Sequence, residues 1–325
     1  MKYLKPLEFL YQGASRLKNF FYDRDLVQAF DVGVPVVSVG NLSFGGSGKT
    51  PCVIWLAREL SAEYRVVVVC RSYKTELSAP LKVDLKRAEA AQIFGDEACL
   101  IQSELQNCNV WSGPSKTETA MAALADKPQI ILVDDGFSHR KLKRNFDLVL
   151  IDTTQGFEAY QREYAGELKR AQAVILTKTH LASVKQVDLL KSQIIAQIPH
   201  LKESVYKAAT RIIVPVPKQK PLYAFCGLAR PESFWQDLAQ SGYQVLKRTA
   251  LADHQKYTAH EQKKLMAQFL DVKNEHKDIQ LVTTAKDRIK LNDAELLKNV
   301  HVVGHAFVVD EKTKEDLIAK IRSAL

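Results

Sequence analysis

The sequence predicts an α/β protein whose main part is a doubly wound, mostly parallel sheet. Apolar, β-branched runs alternate with helical patterns through the first half of the chain, as in successive βαβ units. Two of these runs, residues 64–70 (YRVVVVC) and 129–133 (QIILV), are almost continuously apolar. Such runs are typical of parallel strands that are covered on both faces. Strand and helix patterns resume after a proline-rich stretch, which predicts a second, smaller α/β domain.

The first predicted strand leads into a glycine-rich turn. Residues 34–50 read VPVVSVGNLSFGGSGKT, and an apolar helical pattern covers residues 52–60. A strand, a glycine loop, Gly-Lys-Thr and a helix together form the context of a phosphate-binding P-loop. Backbone N–H groups and the helix start favour phosphate oxygens, Lys49 would reach the β- and γ-phosphates, and Thr50 would bind Mg²⁺.

This loop departs from the general P-loop pattern at Ser43, where the pattern has glycine. The alternative interpretation is a tight strand-to-helix turn with no ligand. The strand before the loop, its double glycine and the helix after it favour phosphate binding. We therefore predict a nucleoside triphosphate site.

The composition of the chain limits the kinds of binding partner, cellular compartment and membrane segment that we expect. The 325 residues suffice for one large or two ordinary domains, and the net charge of +9 favours a polyanionic partner. The chain lacks the clustered aromatic and basic residues of an RNA-binding module, so we expect no nucleic acid. The five cysteines show no C-x-x-C spacing, which predicts buried free thiols in a reducing compartment. No apolar run is long enough to span a bilayer, and no signal peptide is evident.

Residues 1–26 predict an amphipathic helix. Leucine and aromatic residues recur at helical spacing, and basic residues outnumber acidic ones. Such a helix can lie in a membrane interface, or it can pack on the domain core like any other helix. The helical periodicity alone does not distinguish a helix in the membrane interface from a helix packed on the domain core.

Adjacent carboxylates follow the strand at residues 129–133. Asp134 and Asp135 stand at its carboxyl end, which is the Walker B position that holds Mg²⁺ downstream of a P-loop. The alternative is simple Asp-Gly turn chemistry. Two adjacent carboxylates exceed what a turn needs, so we favour metal binding. Asp96 and Glu97 open another predicted helix, where acidic residues are commonly partners of the helix dipole.

The pattern changes around residues 208–221, where prolines and lysines punctuate a short strand. This stretch is typical of a linker between domains. We predict an N-terminal helix over residues 1–26, a P-loop domain over 27–210 and a smaller α/β domain over 211–325.

Residues 40–51 (GNLSFGGSGKTP) carry a family resemblance. The chain resembles the tetraacyldisaccharide 4'-kinases of lipid A biosynthesis, whose P-loop reads GNL[ST]-x-GG-[ST]-GKTP and so includes Ser43. Further pieces agree in order over nearly the whole chain. They are GDE at residues 95–97, DDGFSH at 134–139 with Ser138 for glutamine, Arg162-Glu163, DHQKYT at 253–258, and TTAKD at 283–287 with Ala285 for glutamate.

The resemblance implies an activity and a location. Such kinases transfer the γ-phosphate of ATP, with Mg²⁺, to the 4'-hydroxyl of tetraacyldisaccharide 1-phosphate and form lipid IVA. They act on the cytoplasmic face of the bacterial inner membrane as peripheral, monotopic enzymes. A substrate with four acyl chains stays in the bilayer, so the resemblance favours the membrane interpretation of residues 1–26.

The resemblance also implies residue roles. Asp96 would be the base on the sugar hydroxyl, with His254 as its partner and Lys49 on the transferred phosphate. The nucleotide-binding residues would be Ser43, Phe44, Gly45, Gly46, Ser47, Gly48, Lys49, Thr50 and Pro51. The metal site would comprise Thr50, Asp134, Asp135 and Glu163. The substrate-binding residues would be Asn41, Tyr73, Glu97, Lys116, where relatives carry arginine, and His139.

The sequence departs from the family pattern in two places, and two other functions are alternatives to the kinase interpretation. Residues 71–74 (RSYK) replace a family R-G-Y-G, and residues 153–161 are abbreviated. One rival is another P-loop NTPase, of the GTPase or metallochaperone type. A GTPase should carry Asn-Lys-x-Asp, but the nearest piece, residues 177–180 (TKTH), lacks both the Asn and the Asp. The other rival is a membrane-surface nucleotide sensor, which would bind without turnover.

Overall fold

The computed structural model describes residues 19–24, 26–43, 47–72, 75, 77–87, 89–155, 164–228, 231–252 and 257–325. The chain divides into two compact units. The first comprises Met1–Thr210 and Phe307–Leu325, and the second comprises Arg211–Ala306.

The first unit is built on an eight-stranded sheet. Its strands are β1 (Val36–Asn41), β2 (Val66–Arg71), β3 (Leu81–Lys82), β4 (Asn109–Gly113), β5 (Ile130–Asp134), β6 (Phe146–Asp152), β7 (Ala173–Thr177) and β8 (Val205–Lys207). Their order is β3-β4-β2-β5-β1-β6-β7-β8. Every pairing is parallel except that of β3 with β4. The prediction of a doubly wound, mostly parallel sheet is confirmed.

Helices connect these strands. In chain order they are α1 (Lys49–Ser61), α2 (Ala90–Phe94), α3 (Asp96–Glu104), α4 (Lys116–Ala123) and α5 (Val184–Gln197). Single 3₁₀ turns cover Leu124–Asp126, Ala165–Arg170, Thr179–Leu181 and Pro199–Leu201. The helix predicted after the glycine loop is α1, which buries Cys52, Leu56 and Leu60 at helical spacing.

Burial explains why the strand sequences are so apolar. All six residues of β1 and all seven of β6 are buried, so these strands have no solvent-facing side. Separate apolar clusters, one around Val149 and Leu176 and another around Val67 and Val133, form the core of this unit. The five cysteines are all buried and free, as the sequence predicted.

The second unit has its own sheet. Its strands are β9 (Ala209–Ile213), β10 (Leu222–Cys226), β11 (Val245–Ala250), β12 (Gln280–Thr284) and β13 (Val300–Val308), in the order β11-β10-β12-β13-β9. Its helices are α6 (Pro231–Gln240), α7 (Ala259–Glu275), α8 (Ala285–Arg288) and α9 (Ala294–Asn299). The central pairings of β10, β11, β12 and β13 are parallel, as expected for βαβ units.

The C-terminal helix α10 (Glu311–Ala324) groups with the first unit, whereas the sequence placed residues 211–325 in one domain. Lys320 Nζ donates to Ser204 Oγ at 3.1 Å and to Tyr206 Oη at 2.8 Å, both of which lie at or beside β8. Phe307 packs on Trp55 of α1 with ring centroids 5.6 Å apart. Periodicity identifies the apolar face of α10 but not the core that covers it, which is why the sequence assignment differed.

Because Gly40 in β1 has no side chain, Phe137 can pack directly against its backbone. A Cβ at this position would lie 2.4 Å from Cβ of Phe137 and 2.9 Å from its backbone nitrogen. The backbone of Phe137 cannot move away from an added methyl group as a flexible side chain could. We therefore expect Gly40→Ala to lower the free energy of unfolding by about 1–3 kcal/mol. Urea unfolding measures this. The matched control is Gly304→Ala in β13, whose Cβ would meet no atom closer than 3.9 Å and should change stability little.

Candidate active site

The glycine loop runs from the end of β1 to the start of α1. Gly48 precedes the helix in a left-handed conformation (φ 84°), which glycine adopts without strain. Asn41, the last residue of β1, ties the two ends of the loop together. Its Nδ2 donates to the Ser43 carbonyl at 2.7 Å, and its Oδ1 accepts from Lys49 Nζ at 3.1 Å. The start of α1 and the Lys49 ammonium therefore lie beside the carboxyl end of β1.

The two predicted metal carboxylates stand beside this loop. Asp134 ends β5 and lies opposite Val39 of the neighbouring β1. Asp135 follows in a left-handed conformation (φ 52°), and Gly136 N then donates to the Val39 carbonyl at 3.1 Å. Parallel pairing of β5 with β1 thus brings the Walker B carboxylates to the edge of the sheet from which the P-loop leaves.

Two lysines surround Asp135. Lys49 Nζ lies 3.7 Å from its Oδ1, and Lys116 Nζ lies 3.8 Å from its Oδ2. Lys116 Nζ also donates to the Asp135 carbonyl oxygen. Lys116 is the first residue of α4, which Ser115 caps, and it is only 4% exposed. Its ammonium therefore contacts both the carboxylate and the carbonyl of Asp135, and these contacts favour the left-handed conformation of that residue.

Asp134 is buried, with 4% of its surface exposed, and its Oδ1 has no hydrogen-bond partner among the described residues. Burial, followed by the charges of Glu97 and Asp135, raises the pKa of the Asp134 carboxyl to about 7, although Lys49 and Lys116 act in the opposite direction. An orphaned carboxylate oxygen is costly unless a ligand completes it. Oxygen donors of this kind suit Mg²⁺, so the residues present fit the implied metal.

Asp96 and Glu97 begin α3 directly after Gly95, which has a φ of 92°. Asp96 is half-buried and Glu97 is exposed. The Phe94 carbonyl, just before Gly95, accepts a hydrogen bond at 2.6 Å from Ser112 Oγ near the end of β4. The charge of Glu97 also acts on the pKa of Asp134, so α3 begins near Asp134. The structure thus brings the predicted base segment to the same edge of the sheet as the P-loop.

His139 lies in the turn that follows Asp134 and Asp135. Its Nε2 is 3.1 Å from Oγ1 of Thr117, the neighbour of Lys116 in α4. The His139 carbonyl accepts a hydrogen bond from Arg144 Nη1 at 2.8 Å. These contacts keep the histidine beside α4, on the β5 side of the P-loop.

The sequence reasoning missed residues at the ends of β6 and β7. Thr177 Oγ1 donates to the Ser47 carbonyl at 3.0 Å, and so joins β7 to the P-loop. Lys178 Nζ lies 2.7 Å from Asp152 Oδ2 and so joins the ends of β7 and β6. The available signal was a polar residue at the end of each of two apolar strands, Asp152 in β6 and Thr177 in β7, because the carboxyl ends of parallel strands meet at one edge.

The remaining predicted residues divide in two groups. Thr50 and Pro51 lie in the first turn of α1, beside Lys49, and Ser47 and Gly48 directly precede it. Phe44, Gly45, Gly46, Tyr73, Glu163 and His254 lie outside the described residues.

Comparisons with known proteins show the family of the chain. The family model Tetraacyldisaccharide-1-P 4'-kinase (LpxK) matches residues 1–323. A tetraacyldisaccharide 4'-kinase of Bdellovibrio bacteriovorus is 35% identical over 319 residues, which covers 91% of this chain and 92% of the relative. One of Halothermothrix orenii is 29% identical over 340 residues and covers 93% and 87%. A crystal structure of LpxK from Aquifex aeolicus in complex with ATP superimposes with a TM-score of 0.75 at 27% identity, covering 98% of each chain. The chain therefore belongs to the tetraacyldisaccharide-1-phosphate 4'-kinase family.

Proposed function

We propose that this chain is an ATP-dependent kinase that phosphorylates the 4'-hydroxyl of tetraacyldisaccharide 1-phosphate and forms lipid IVA. The observation that carries the proposal is the match to the kinase family over residues 1–323. The geometry supports it, because Lys49, Asp134 and Asp135 meet at one edge of a parallel sheet. Another P-loop NTPase or a nucleotide sensor is not favoured by a match that spans both units.

The P-loop side of the site would bind ATP. Backbone N–H groups at the start of α1 and the Lys49 ammonium offset the charge of the triphosphate, and Asn41 holds Lys49 in place at 3.1 Å. Thr50, Asp134 and Asp135 would hold Mg²⁺, with Glu163 as a further ligand. The bound metal would neutralise charge on the β- and γ-phosphates.

The acceptor side would supply the nucleophile. A sugar hydroxyl is a poor nucleophile, so a carboxylate must orient it and accept its proton. We assign this role to Asp96 at the start of α3, with His254 as its partner. Tyr73, Glu97 and His139 would contact the disaccharide. Lys116 would act on it through Asp135, since its ammonium engages both the carboxylate and the carbonyl of that residue.

We also propose docking to the cytoplasmic face of the inner membrane. Most of the helix predicted over residues 1–26 lies outside the described residues, but residues 19–23 are helical. This helical stretch and the segment after it expose apolar side chains, namely Phe20 and Phe21 within it and Leu26, Val27 and Phe30 beyond it. Phe30 exchanges backbone hydrogen bonds with Lys141 and Lys143, which places two basic residues beside it. Exposed aromatics flanked by lysines suit an anionic lipid interface. Within the described parts, no helix is long and apolar enough to cross a bilayer.

Replacing Phe20 and Phe21 together by serine should weaken binding to anionic vesicles about tenfold or more, because each buried aromatic contributes roughly 1–2 kcal/mol. Flotation with phosphatidylglycerol vesicles measures this. Leu189→Ser is the control, since Leu189 is an apolar residue on α5 that is more exposed than either phenylalanine. An equal loss of vesicle binding in the phenylalanine double variant and in Leu189→Ser would indicate nonspecific adsorption and contradict docking through Phe20 and Phe21.

The activity itself is tested with γ-labelled ATP and tetraacyldisaccharide 1-phosphate in detergent micelles. We expect the label in the lipid, and we expect it only when the acceptor and Mg²⁺ are present. Label released solely as free phosphate, with or without lipid, would overturn the kinase proposal and favour an NTPase.

A further inference from the structure

We infer that Arg140 is a positioning residue that couples membrane docking to phosphate transfer. It fixes the stretch that carries the exposed side chains of Phe20 and Phe21 to the turn that begins with Asp135. The inference rests on the proposed function, because it takes both the lipid kinase activity and docking to an anionic membrane surface as given. It assigns a role to a residue that the predicted site does not include.

Arg140 makes three contacts with the helical residues 19–23. Its Nη1 donates to the carbonyl oxygen of Asn19 at 3.0 Å and to Oδ1 of Asp23, and its Cζ lies 5.2 Å from the centroid of the Tyr22 ring. The Arg140 side chain is only 12% exposed, so these charge-assisted contacts are largely shielded from water. A planar guanidinium can engage a carboxylate, a carbonyl and an aromatic face together, whereas the ammonium of lysine is a point charge. The helical stretch is therefore held in a defined orientation.

Asp23 joins the same helical stretch to a second segment. Its Oδ2 lies 2.8 Å from Nζ of Lys169 in a 3₁₀ turn. The next residue, Arg170, donates to the Phe137 carbonyl at 3.2 Å and lies 4.1 Å from the centroid of that ring. Burial alone would raise the pKa of Asp23, but hydrogen bonds from Lys169 and Arg140 hold it below its ordinary value, so the carboxylate is charged. Asp23 thus reaches the turn after β5 directly through Arg140 and indirectly through Lys169 and its neighbour.

The turn that ends at Arg140 leads directly into the candidate active site. It begins with Asp135, whose Oδ1 lies 3.7 Å from Nζ of Lys49 in α1. His139 precedes Arg140, and its backbone N–H donates to the Gly136 carbonyl at 2.9 Å. Because the turn is closed by its own hydrogen bond and is bonded to the site at its start, Arg140 transmits the orientation of the helical stretch to the site.

This connection matters because the acceptor lipid stays in the membrane. Phe20 and Phe21 are exposed and can enter the interface while Asp23, on the same stretch, remains bonded to Arg140. ATP would bind at the strand ends, whereas the bilayer presents the acceptor hydroxyl, and the reacting atoms must come within about 3–3.5 Å of each other. Without Arg140 the protein would still dock, but the site would sample unproductive orientations toward the surface.

The test separates docking from transfer. The full chain is given γ-labelled ATP, Mg²⁺ and phosphatidylglycerol vesicles that contain tetraacyldisaccharide 1-phosphate at varied mole fraction. We expect Arg140→Gln to raise the KM for the lipid, expressed as its mole fraction in the surface, about tenfold and to leave kcat within about twofold. Flotation with the vesicles and calorimetric affinity for ATP should match the wild type. A loss of folded protein would instead lower kcat and leave KM unchanged.

Further variants support the comparison. Arg140→Lys keeps the charge without the planar fork, so its KM should lie between those of the wild type and Arg140→Gln. Asp23→Asn changes the other partner and should also raise KM, which keeps the inference testable if Arg140→Gln does not fold. Arg58→Gln is the control. Arg58 Nη2 donates to the Glu104 carboxylate at 2.7 Å and to its carbonyl at 2.8 Å, but this pair joins α1 to α3, so KM and kcat should both stay unchanged.

An unchanged KM in both Arg140→Gln and Asp23→Asn would overturn the inference. An equal loss of vesicle binding and of transfer in Arg140→Gln would also overturn it, because Arg140 would then belong to the membrane-binding surface. Failure of the proposed function is a separate outcome, in which the wild type itself would leave the lipid unlabelled or would not float with the vesicles.

Discussion

Asp134→Asn should make the nucleotide-free protein more stable while it strongly reduces phosphate transfer. Asp134 is buried and its Oδ1 lacks a hydrogen-bond partner in the described part of the chain, so its ionised form is costly without a metal. The amide keeps the shape and removes the charge. We expect a rise in melting temperature of about 2–6 °C without ligand and a fall in kcat on the order of 100-fold or more.

The stabilisation has a defined pH dependence. Burial and the charges of Glu97 and Asp135 raise the pKa of Asp134 to about 7 in the folded protein, above the ordinary value for an unfolded carboxyl. Between these two values the folded state binds more protons than the unfolded state, so the wild type loses stability as pH rises toward 7. The advantage of Asp134→Asn should therefore be small near pH 4, grow through this window and level off above pH 7.

Thermal unfolding in EDTA across this pH range measures the effect, and Asp126→Asn is its control. Burial alone would raise the pKa of Asp126, but hydrogen bonds from Trp111, Lys82 and Asn109 together hold it below the ordinary value. The same substitution there should destabilise the protein at neutral pH. Mg²⁺ with ATP should stabilise the wild type but not Asp134→Asn. A variant that melts below the wild type at pH 8 without ligand would contradict the account.

The fold was predictable because local sequence and tertiary role coincide. Strands buried on both faces are mostly apolar, so β2, β5 and β6 can be recognised in the sequence as apolar runs. The glycine-rich residues between a strand and a helix pattern likewise predict a strand-to-helix turn. Helix α10 was not predictable in the same way. Its periodicity shows that one face is buried, but the contacts of Lys320 with Ser204 and Tyr206 join residues more than a hundred positions apart.

In the candidate site, too, some positions could be predicted from the sequence and others could not. Lys49, Asp134 and Asp135 follow from motif and strand position, because β1 and β5 are adjacent in the sheet. The position of Lys116 required the structure. The resemblance implies a substrate-binding role for Lys116, which stays a prediction, and the structure adds that its ammonium is buried against Asp135. Contacts between distant strand ends, such as Thr177 with Ser47, depend on sheet order, which a single sequence does not specify.

Asp96→Asn should reduce lipid phosphorylation by a factor on the order of 10²–10⁴, the usual contribution of a general base. The amide keeps the size of the side chain and can still orient a hydroxyl, but it cannot accept the proton. Asp96 is the first residue of α3, so the substitution also removes a favourable helix-dipole charge worth about 0.3–1 kcal/mol. That loss is too small to unfold a protein of this size.

Loss of the helix-dipole charge at Asp96 must be distinguished from loss of a proton acceptor. Glu118→Gln is the matched control, because Glu118 is an acidic residue in the first turn of α4 and is exposed. It should lose the same dipole contribution and keep full activity. Calorimetry should show that Asp96→Asn binds ATP with Mg²⁺ as the wild type does, since Asp96 is not among the P-loop residues. If Asp96→Asn labels lipid at the wild-type rate, the proton goes to another group, and the histidine partner assigned at His254 becomes the residue to replace next.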